Sequence, residues 1–329
     1  MVALDSSGLG RLVESATRVL LTGPEDPDGD SFGACLALQR AIRSLTDARV
    51  DVAGVAGFRY AWLPGAAEMV PDQAIAGPYD LAIVLDGDRH RLSPPVARAF
   101  HRAATTAIVD HHDTTSAQGY TLALIDREAE STCGMVLGLM DAWGLPLDHA
   151  FAEQLYVGVI FDTGGFRYSN TSAATHRVAA RLLDQGIDHS AIAIRVLMEQ
   201  RRAGMLLRAR VLDTATFHAD GAVVLGCVTQ GVARQLGATR LDIEGIVDPM
   251  VYVQGCEVAV LLVERGPAEI KLSLRSRGLV NVAEIARALN PSGGGHQKAA
   301  GVLVEAPLAE VRERVIRELE AAVEQTRAA

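Results

Sequence analysis

Residues 18–42 read RVLLTGPEDPDGDSFGACLALQRAI, and how this stretch divides decides the fold. It opens on a short apolar run and closes on an apolar, helix-prone one. Between them Glu25, Asp26, Asp28 and Asp30 fall within six positions, with Pro24 and Pro27 on either side of the first pair. Strand, acidic loop and helix together make the first half of a βα unit. In an open α/β sheet, such a loop lies at the carboxyl edge of the strands, where ligand crevices form.

Working outward, VDVAGVA (50–56), DLAIVLD (80–86), TTAIVDH (105–111) and YTLALID (120–126) are further short apolar runs. Continuous rather than alternating hydrophobicity predicts parallel strands covered on both faces. Helical patterns such as SFGACLALQRAIRSL and STCGMVLGLMDAWG lie among them, so the expected class is α/β, with a mainly parallel sheet flanked by helices. From Asp148 to Asp184 the chain reads as helices around the turn GGFRYSN. Residues 187–210 are arginine-rich and helix-prone, and serve as a helical linker between a first domain, 1–186, and a smaller α/β domain, 211–329. In the latter, ATFHADGAVVLGCV (215–228) predicts a hairpin turning at Asp220-Gly221. CEVAVLLVER and AEIKLSLRSRG predict strands, NVAEIARALN a helix, GGGHQKAAG a loop, and VRERVIRELEAAVEQ an amphipathic helix.

The 329 residues suffice for two ordinary domains. The net charge of −9 argues against a grip on long nucleic acid, which phosphate neutralisation would drive. Lysine occurs only at 271 and 298. No apolar run approaches the roughly twenty residues of a membrane span. MVALDSSGLGRLVES lacks the basic start and long apolar stretch of an export signal. Cys35, Cys133, Cys227 and Cys256 lie far apart in apolar contexts, without a CxxC pair. They predict buried thiols in a reducing, cytoplasmic setting rather than disulfides or zinc ligands.

The acids share one address. Asp28 and Asp30 follow the first strand, Asp86 ends VLD, Asp110-His111-His112 ends TAIVDHH, and Asp162 ends the apolar run of YVGVIFDTGGF. Singly, each has a plain structural use: an Asp after a strand caps the next helix, and Asp30 fits that role. Together they would repel unless cations sat among them. Two divalent ions about 3.5–4 Å apart need about six to eight protein donors, and this inventory supplies them. Mixed carboxylate and imidazole donors favour manganese over magnesium, with cobalt, iron and zinc also compatible. The cysteines lack basic neighbours, so none of them points to a covalent nucleophile.

With these motifs the sequence resembles the DHH phosphoesterase family. DPDGD, VLD, VDHH and FDTGGFRYSNT occur in the family's order, and SLRSRG with GGGHQKAAG resembles the signature of its associated substrate-binding domain. The branch is the RecJ-related one, of the bacterial oligoribonuclease and 3′-phosphoadenosine 5′-phosphate phosphatase type. The resemblance implies an active site in an interdomain cleft. It implies Asp28 on a first metal, Asp30, His111 and Asp162 on a second, Asp86 bridging both, His112 facing the scissile phosphate, and Asp110 orienting a histidine. It implies hydrolysis, by metal-activated water, of short oligoribonucleotides or 3′-phosphoadenosine 5′-phosphate. Cyclic or linear dinucleotides are the alternative substrates. Family habit implies a homodimer.

The family places a histidine four residues before its first aspartate, where this chain has Pro24. Glu25 or Asp26 replaces the donor, or the first metal binds weakly, or the protein binds nucleotides or metal without cleaving. In the second domain, Gly293, Gly294 and Gly295 can bring backbone N–H groups close to a phosphate. His296 and Lys298 add donors, and Ser276, between Arg275 and Arg277 in SLRSRG, is a further candidate for the substrate. Arg275 and Arg277 would share a strand face, so spacing does not choose between them; the family pattern selects Arg275 as the phosphate clamp. Inorganic pyrophosphatases share a similar metal core but lack the GGGH element.

Overall fold

The computed structural model describes residues 6–328. The first five residues, on which the export-signal reading partly rests, lie outside the described residues. The chain divides between Glu199 and Gln200 into two compact units, each with its own sheet.

The first unit runs α1 (Ser6–Ser15), β1 (Arg18–Thr22), α2 (Gly29–Leu45), β2 (Arg49–Val52), β3 (Leu81–Leu85), α3 (Pro94–His101), β4 (Thr105–Asp110), β5 (Leu122–Ile125), α4 (Thr132–Ala142), α5 (His149–Asp162), α6 (Ala173–Leu183) and α7 (His189–Ala193). Its five strands are all parallel, in the order β2-β1-β3-β4-β5. Every residue of β3 is buried, because both faces of the sheet are covered. Leu21, Ile83 and Val109 pack with Leu36, Val136 and Leu155 of α2, α4 and α5. Leu20, Val84 and Ile108 pack on the other face with Val96 and Phe100 of α3. Each such side chain contributes about 1.5–3 kcal/mol on burial, which explains why the strands read as unbroken apolar runs.

Two polar devices set the ends of the sheet. At the amino edge, Asp80 Oδ2 accepts the backbone N–H groups of Thr17 and Arg18 at 2.9 and 2.8 Å. At the carboxyl edge, Asp28 Oδ1 accepts from the N–H groups of Asp30 and Ser31 at 3.0 and 3.2 Å. The N-cap of α2 is therefore Asp28 and not Asp30, because the helix begins at Gly29. Asp30 sits inside the first turn, with its carboxylate released for another task.

The second unit runs α8 (Arg202–Asp213), β6 (Thr216–His218), β7 (Val223–Val228), α9 (Gln230–Leu236), α10 (Val247–Val251), β8 (Val258–Gly266), β9 (Glu269–Ser276), α11 (Val282–Leu289), β10 (Gly294–His296), β11 (Ala299–Val304) and α12 (Leu308–Ala328). The sheet is mixed, ordered β10-β11-β9-β8-β7-β6, with β7 and β8 parallel. The hairpin at 215–228 is present, turning through Asp220 and Gly221 at φ 54° and 88°. GGGHQKAAG is not a loop: it forms the β10–β11 hairpin. Strand β9 ends at Ser276, so Arg277 lies beyond it, exposed, and does not share a regular strand face with Arg275. Residues 187–210 form α7, a wide turn over Ile194–Met198 and most of α8. Cys35, Cys133 and Cys256 are buried free thiols, whereas Cys227 is only half-buried. Among the described residues, no helix is long and apolar enough to cross a membrane.

Candidate metal centre

Three strands and two helices deliver the acidic residues of the first unit to one place. Asp86 follows β3 in a left-handed conformation, φ 60°, with Gly87 after it at φ 155°. Asp30 enters from α2 and is fully buried. Its Oδ2 accepts the Thr132 N–H at 2.6 Å and its Oδ1 accepts the Cys133 N–H at 2.9 Å, so the amino end of α4 holds it. A glycine on α5 makes room for it: a Cβ on Gly158 would lie 2.2 Å from Asp30 Oδ1.

His111, just past β4, is oriented by its other nitrogen. Nδ1 lies 3.2 Å from the Ala129 carbonyl oxygen, to which its N–H donates. Nε2 then faces the carboxylates, 2.8 Å from Asp162 Oδ2, 3.7 Å from Asp86 Oδ1 and 3.8 Å from Asp30 Oδ2. Donor atoms of Asp30, Asp86, His111 and Asp162 all lie within 4.8 Å of one another. Asp28 joins through a hydrogen bond with Asp86. A second group, Asp86, Asp110 and His112, meets the same limit. There His112 Nδ1 is 2.7 Å from Asp110 Oδ1, and Asp110 also accepts the His111 backbone N–H at 2.9 Å and the Thr115 hydroxyl.

The electrostatics follow from burial of like charges. Burial, then the charge of Asp162, pushes the Asp30 carboxyl up to about 7. Burial, with Asp28 and Asp30 beside it, raises Asp86 well above the ordinary range, and burial with Asp162 nearby raises Asp28. Burial alone would lower His111, but hydrogen bonds to Asp162 and Asp86 outweigh it and raise the imidazole well above its usual value. Asp110 goes the other way: burial would raise it, yet His112 and the Thr115 hydroxyl hold it well below the carboxylate range. Carboxyls forced to hold protons near neutrality, around an imidazole whose orientation is already fixed, are what a divalent cation would relieve. The donor set fits such an ion: hard oxygens plus one borderline nitrogen.

Around Pro24 the structure is less generous. Pro24 is buried against the backbone at Gly87, where a Cβ would come within 3.4 Å of its ring. Glu25 and Asp26 are exposed, and Glu25 is tied by its N–H to the Arg91 carbonyl at 2.7 Å. Neither belongs to the metal-capable groups found among the described residues.

The second unit gathers the other expected residues. Arg275, Ala299 and His296 lie in register across β9, β11 and β10, so the arginine and the histidine flank a small alanine on one face. Arg275 is braced by Asp248, Nε to Oδ1 at 2.9 Å. Ser276 is buried, and its N–H donates to the Lys298 carbonyl at 2.9 Å. Lys298 Nζ donates to the Gly278 carbonyl. Gly293 turns the chain with its N–H on Asn290 O at 2.8 Å, while Gly294 and Gly295 form β10.

Several residues that support the site escaped the sequence reading. Thr132 and Cys133 act through backbone N–H groups and Ala129 through its carbonyl, which no side-chain motif reveals. Thr115 supports Asp110 five residues away. Asn170, within the quoted GGFRYSN turn, donates to the carbonyls of Asp162 and Glu130 at 3.1 and 3.0 Å, and its amide side chain was the one available signal.

A parallel α/β sheet with this cluster at its carboxyl edge, followed by a second mixed-sheet unit, defines an enzyme class of phosphoesterase type. Residues 18–159 match the DHH family, N-terminal domain, and residues 223–325 match the DHHA1 domain. The chain belongs to the DHH family. It is 33% identical to the bifunctional oligoribonuclease and PAP phosphatase NrnA of Thermus thermophilus, over 88% of this chain and 86% of that protein. Its fold is similar to that of an exopolyphosphatase-related protein from Bacteroides fragilis, with TM-score 0.83, 23% identity, and 99% and 98% of the two chains covered. It is also similar in fold to RecJ from Thermus thermophilus, solved in complex with Mn2+, at TM-score 0.57 and 14% identity, over 98% of this chain and 55% of that one.

Proposed function

We propose that the protein is a metal-dependent phosphoesterase that hydrolyses short oligoribonucleotides and 3′-phosphoadenosine 5′-phosphate. The observation that carries this reading is the buried meeting of Asp30, Asp86, His111 and Asp162 within 4.8 Å at the carboxyl edge of the sheet. The similarity to an oligoribonuclease and PAP phosphatase over most of both chains supports the substrate class.

In this reading Asp28 and Asp86 would hold one divalent ion, and Asp30, His111, Asp162 and Asp86 would hold another. Manganese suits the mixed donors best. When bound, such ions supply Lewis acidity and a nucleophile available near neutral pH. The chain's own groups do the rest. Ala129 fixes the His111 tautomer, and Asp110 orients His112, so that His112 can serve a phosphoryl oxygen. Residues 1–186 form the catalytic domain, 187–210 the linker and 211–329 the substrate domain. In the last, Arg275, Ser276, Gly293, Gly294, Gly295, His296 and Lys298 serve the substrate's phosphate. The exposed Glu25 and Asp26 are poor replacements for a donor at Pro24, which favours a weakly held first ion. The protein acts in the cytoplasm, as a homodimer.

The test is a substrate panel. Purified protein, stripped of metal and reloaded with Mn2+, Mg2+, Co2+ or Zn2+, is given di- to pentaribonucleotides, 3′-phosphoadenosine 5′-phosphate and cyclic dinucleotides. Metal-dependent release of mononucleotide or inorganic phosphate is expected. Full activity after exhaustive chelation would overturn the reading, and tight nucleotide binding without turnover at saturating metal would favour a binding protein.

A further inference from the structure

A cavity of about 240 Å3 opens beside the acidic loop of the first unit, on the side of β1 that carries β2. Pro24, Phe32 and Met69 form apolar walls. Ser31 and Ser93 also line it, 1% and 7% exposed. Neither Oγ has a hydrogen-bond partner among the described residues. Ser93 is the N-cap of α3, yet its side chain makes no capping bond. Buried hydroxyls are ordinarily paired, so two orphans on one cavity point to a guest that pairs them.

The lining selects the guest. Among the described residues no lysine, arginine or histidine lines the cavity, and its carboxylates are Glu25 and Asp72. A phosphate would be repelled there. The volume lies below the roughly 300–1,000 Å3 of pockets for drug-sized ligands, enough for one flat heterocycle and too little for a dinucleotide. Apolar walls with a few hydroxyls able both to donate and to accept suit the face and the edge of a nucleobase. The β1–α2 loop and the first turn of α2 carry Asp28 and Asp30 and contribute Pro24 and Ser31 to this cavity. A nucleotide could therefore leave its phosphate at the carboxylates and its base here.

We propose that this cavity is a nucleobase subsite, with Pro24 as a wall and the hydroxyls of Ser31 and Ser93 reading the base edge. The parent molecule of the base rests on the phosphoesterase reading above. In this role Pro24 has a use of its own: the ring that supplies no metal donor supplies an apolar surface for the base.

Two variants test the subsite. Ser93→Leu fills the cavity, and Val55→Trp covers its rim from a position 67% exposed, where folding is undisturbed. Adenosine and guanosine, which carry no phosphate, are titrated calorimetrically into the full-length protein in the presence of a chelator. In parallel, kcat/KM is measured on a diribonucleotide and on the same molecule with either base removed. Nucleoside binding should weaken about tenfold or more in both variants. Deleting one of the two bases should cost the wild type about tenfold and the variants much less, since the base then has nothing left to lose. If nucleoside affinity ignores both variants, or base deletion costs all three proteins equally, the cavity holds only water and the subsite is refuted. If nucleoside binding responds to the variants while no diribonucleotide is cleaved, the subsite stands and the phosphoesterase reading fails.

Discussion

His111 Nε2 lies 2.8 Å from Asp162 Oδ2, so the residue after β4 and the last residue of α5 share one proton or one cation. Nδ1 is committed to the Ala129 carbonyl, so the ring cannot turn away. Three further carboxyls, from Asp28, Asp30 and Asp86, are raised around this contact. The cluster is arranged for a positive charge, and its cost without one can be measured.

Without metal, stability should fall as pH rises. Asp30 titrates near 7 in the folded chain against about 4 unfolded, so the folded state holds the extra proton between those values. A raised carboxyl therefore stabilises fully below about pH 4, and that contribution is lost on the way to pH 7. His111, raised above its usual value, loses its contribution in the same direction as pH climbs through its folded value. Melting temperature in chelator should decline from about pH 4 to pH 8, and Mn2+ should restore it most strongly at the alkaline end. A metal-free melting temperature that climbs over this range would contradict the cluster's electrostatics.

Pro24→His should tighten the first ion. The position is buried beside Gly87, next to Asp86, and the nearby acids Glu25 and Asp26 point to solvent. One added imidazole donor should lower the metal concentration for half-maximal activity about tenfold or more, the cost of losing one supporting group elsewhere being about 10–100-fold. An unchanged metal titration, by activity and by calorimetry, would mean that another donor already completes the site.

Thr115→Val should make the protein acid-labile. The Thr115 hydroxyl and His112 hold the Asp110 carboxyl below its ordinary range, against the pull of burial. A depressed carboxyl contributes stability above its unfolded value near 4, lost as pH falls through the folded one. Hydrogen bonds to charged groups contribute about 1.5–3 kcal/mol, so removing this one should shift the acid unfolding midpoint upward in a circular-dichroism titration. At neutral pH kcat should drop as well, because His112 loses a firmly held partner. An unmoved acid midpoint would show that His112 alone keeps Asp110 ionised.

The sequence carried the first sheet well, because parallel strands covered on both faces must be apolar throughout and their acids must wait for the carboxyl edge. Leu81 to Leu85 and then Asp86 is that pattern in its plainest form. The cap was harder. Asp28 and Asp30 are chemically alike, and only the start of the helix at Gly29 assigns one to the backbone and frees the other. Groups that act through the main chain, such as Thr132 N–H and Ala129 C=O, leave no mark on side-chain identity. The β10–β11 hairpin leaves no strand signal for a related reason. Gly294 and Gly295 have poor strand propensity, and their pairing is enforced by β9 and by the register around Ala300.

That hairpin supplies the last test. Gly295 sits at φ 135°, a conformation other residues resist, and a Cβ there would lie 2.4 Å from the Ala299 carbonyl oxygen. Gly295→Ala must therefore push β10 off β11 and move His296 away from its row with Ala299 and Arg275. Backbone strain of this kind costs about 1–3 kcal/mol. If this row binds the substrate's phosphate, KM should rise about tenfold or more, while the metal dependence set by the first unit stays as in the wild type. A variant that loses melting temperature but keeps its KM would place the phosphate contact outside the hairpin. One that loses metal affinity in proportion to KM would mean the damage had spread beyond β10.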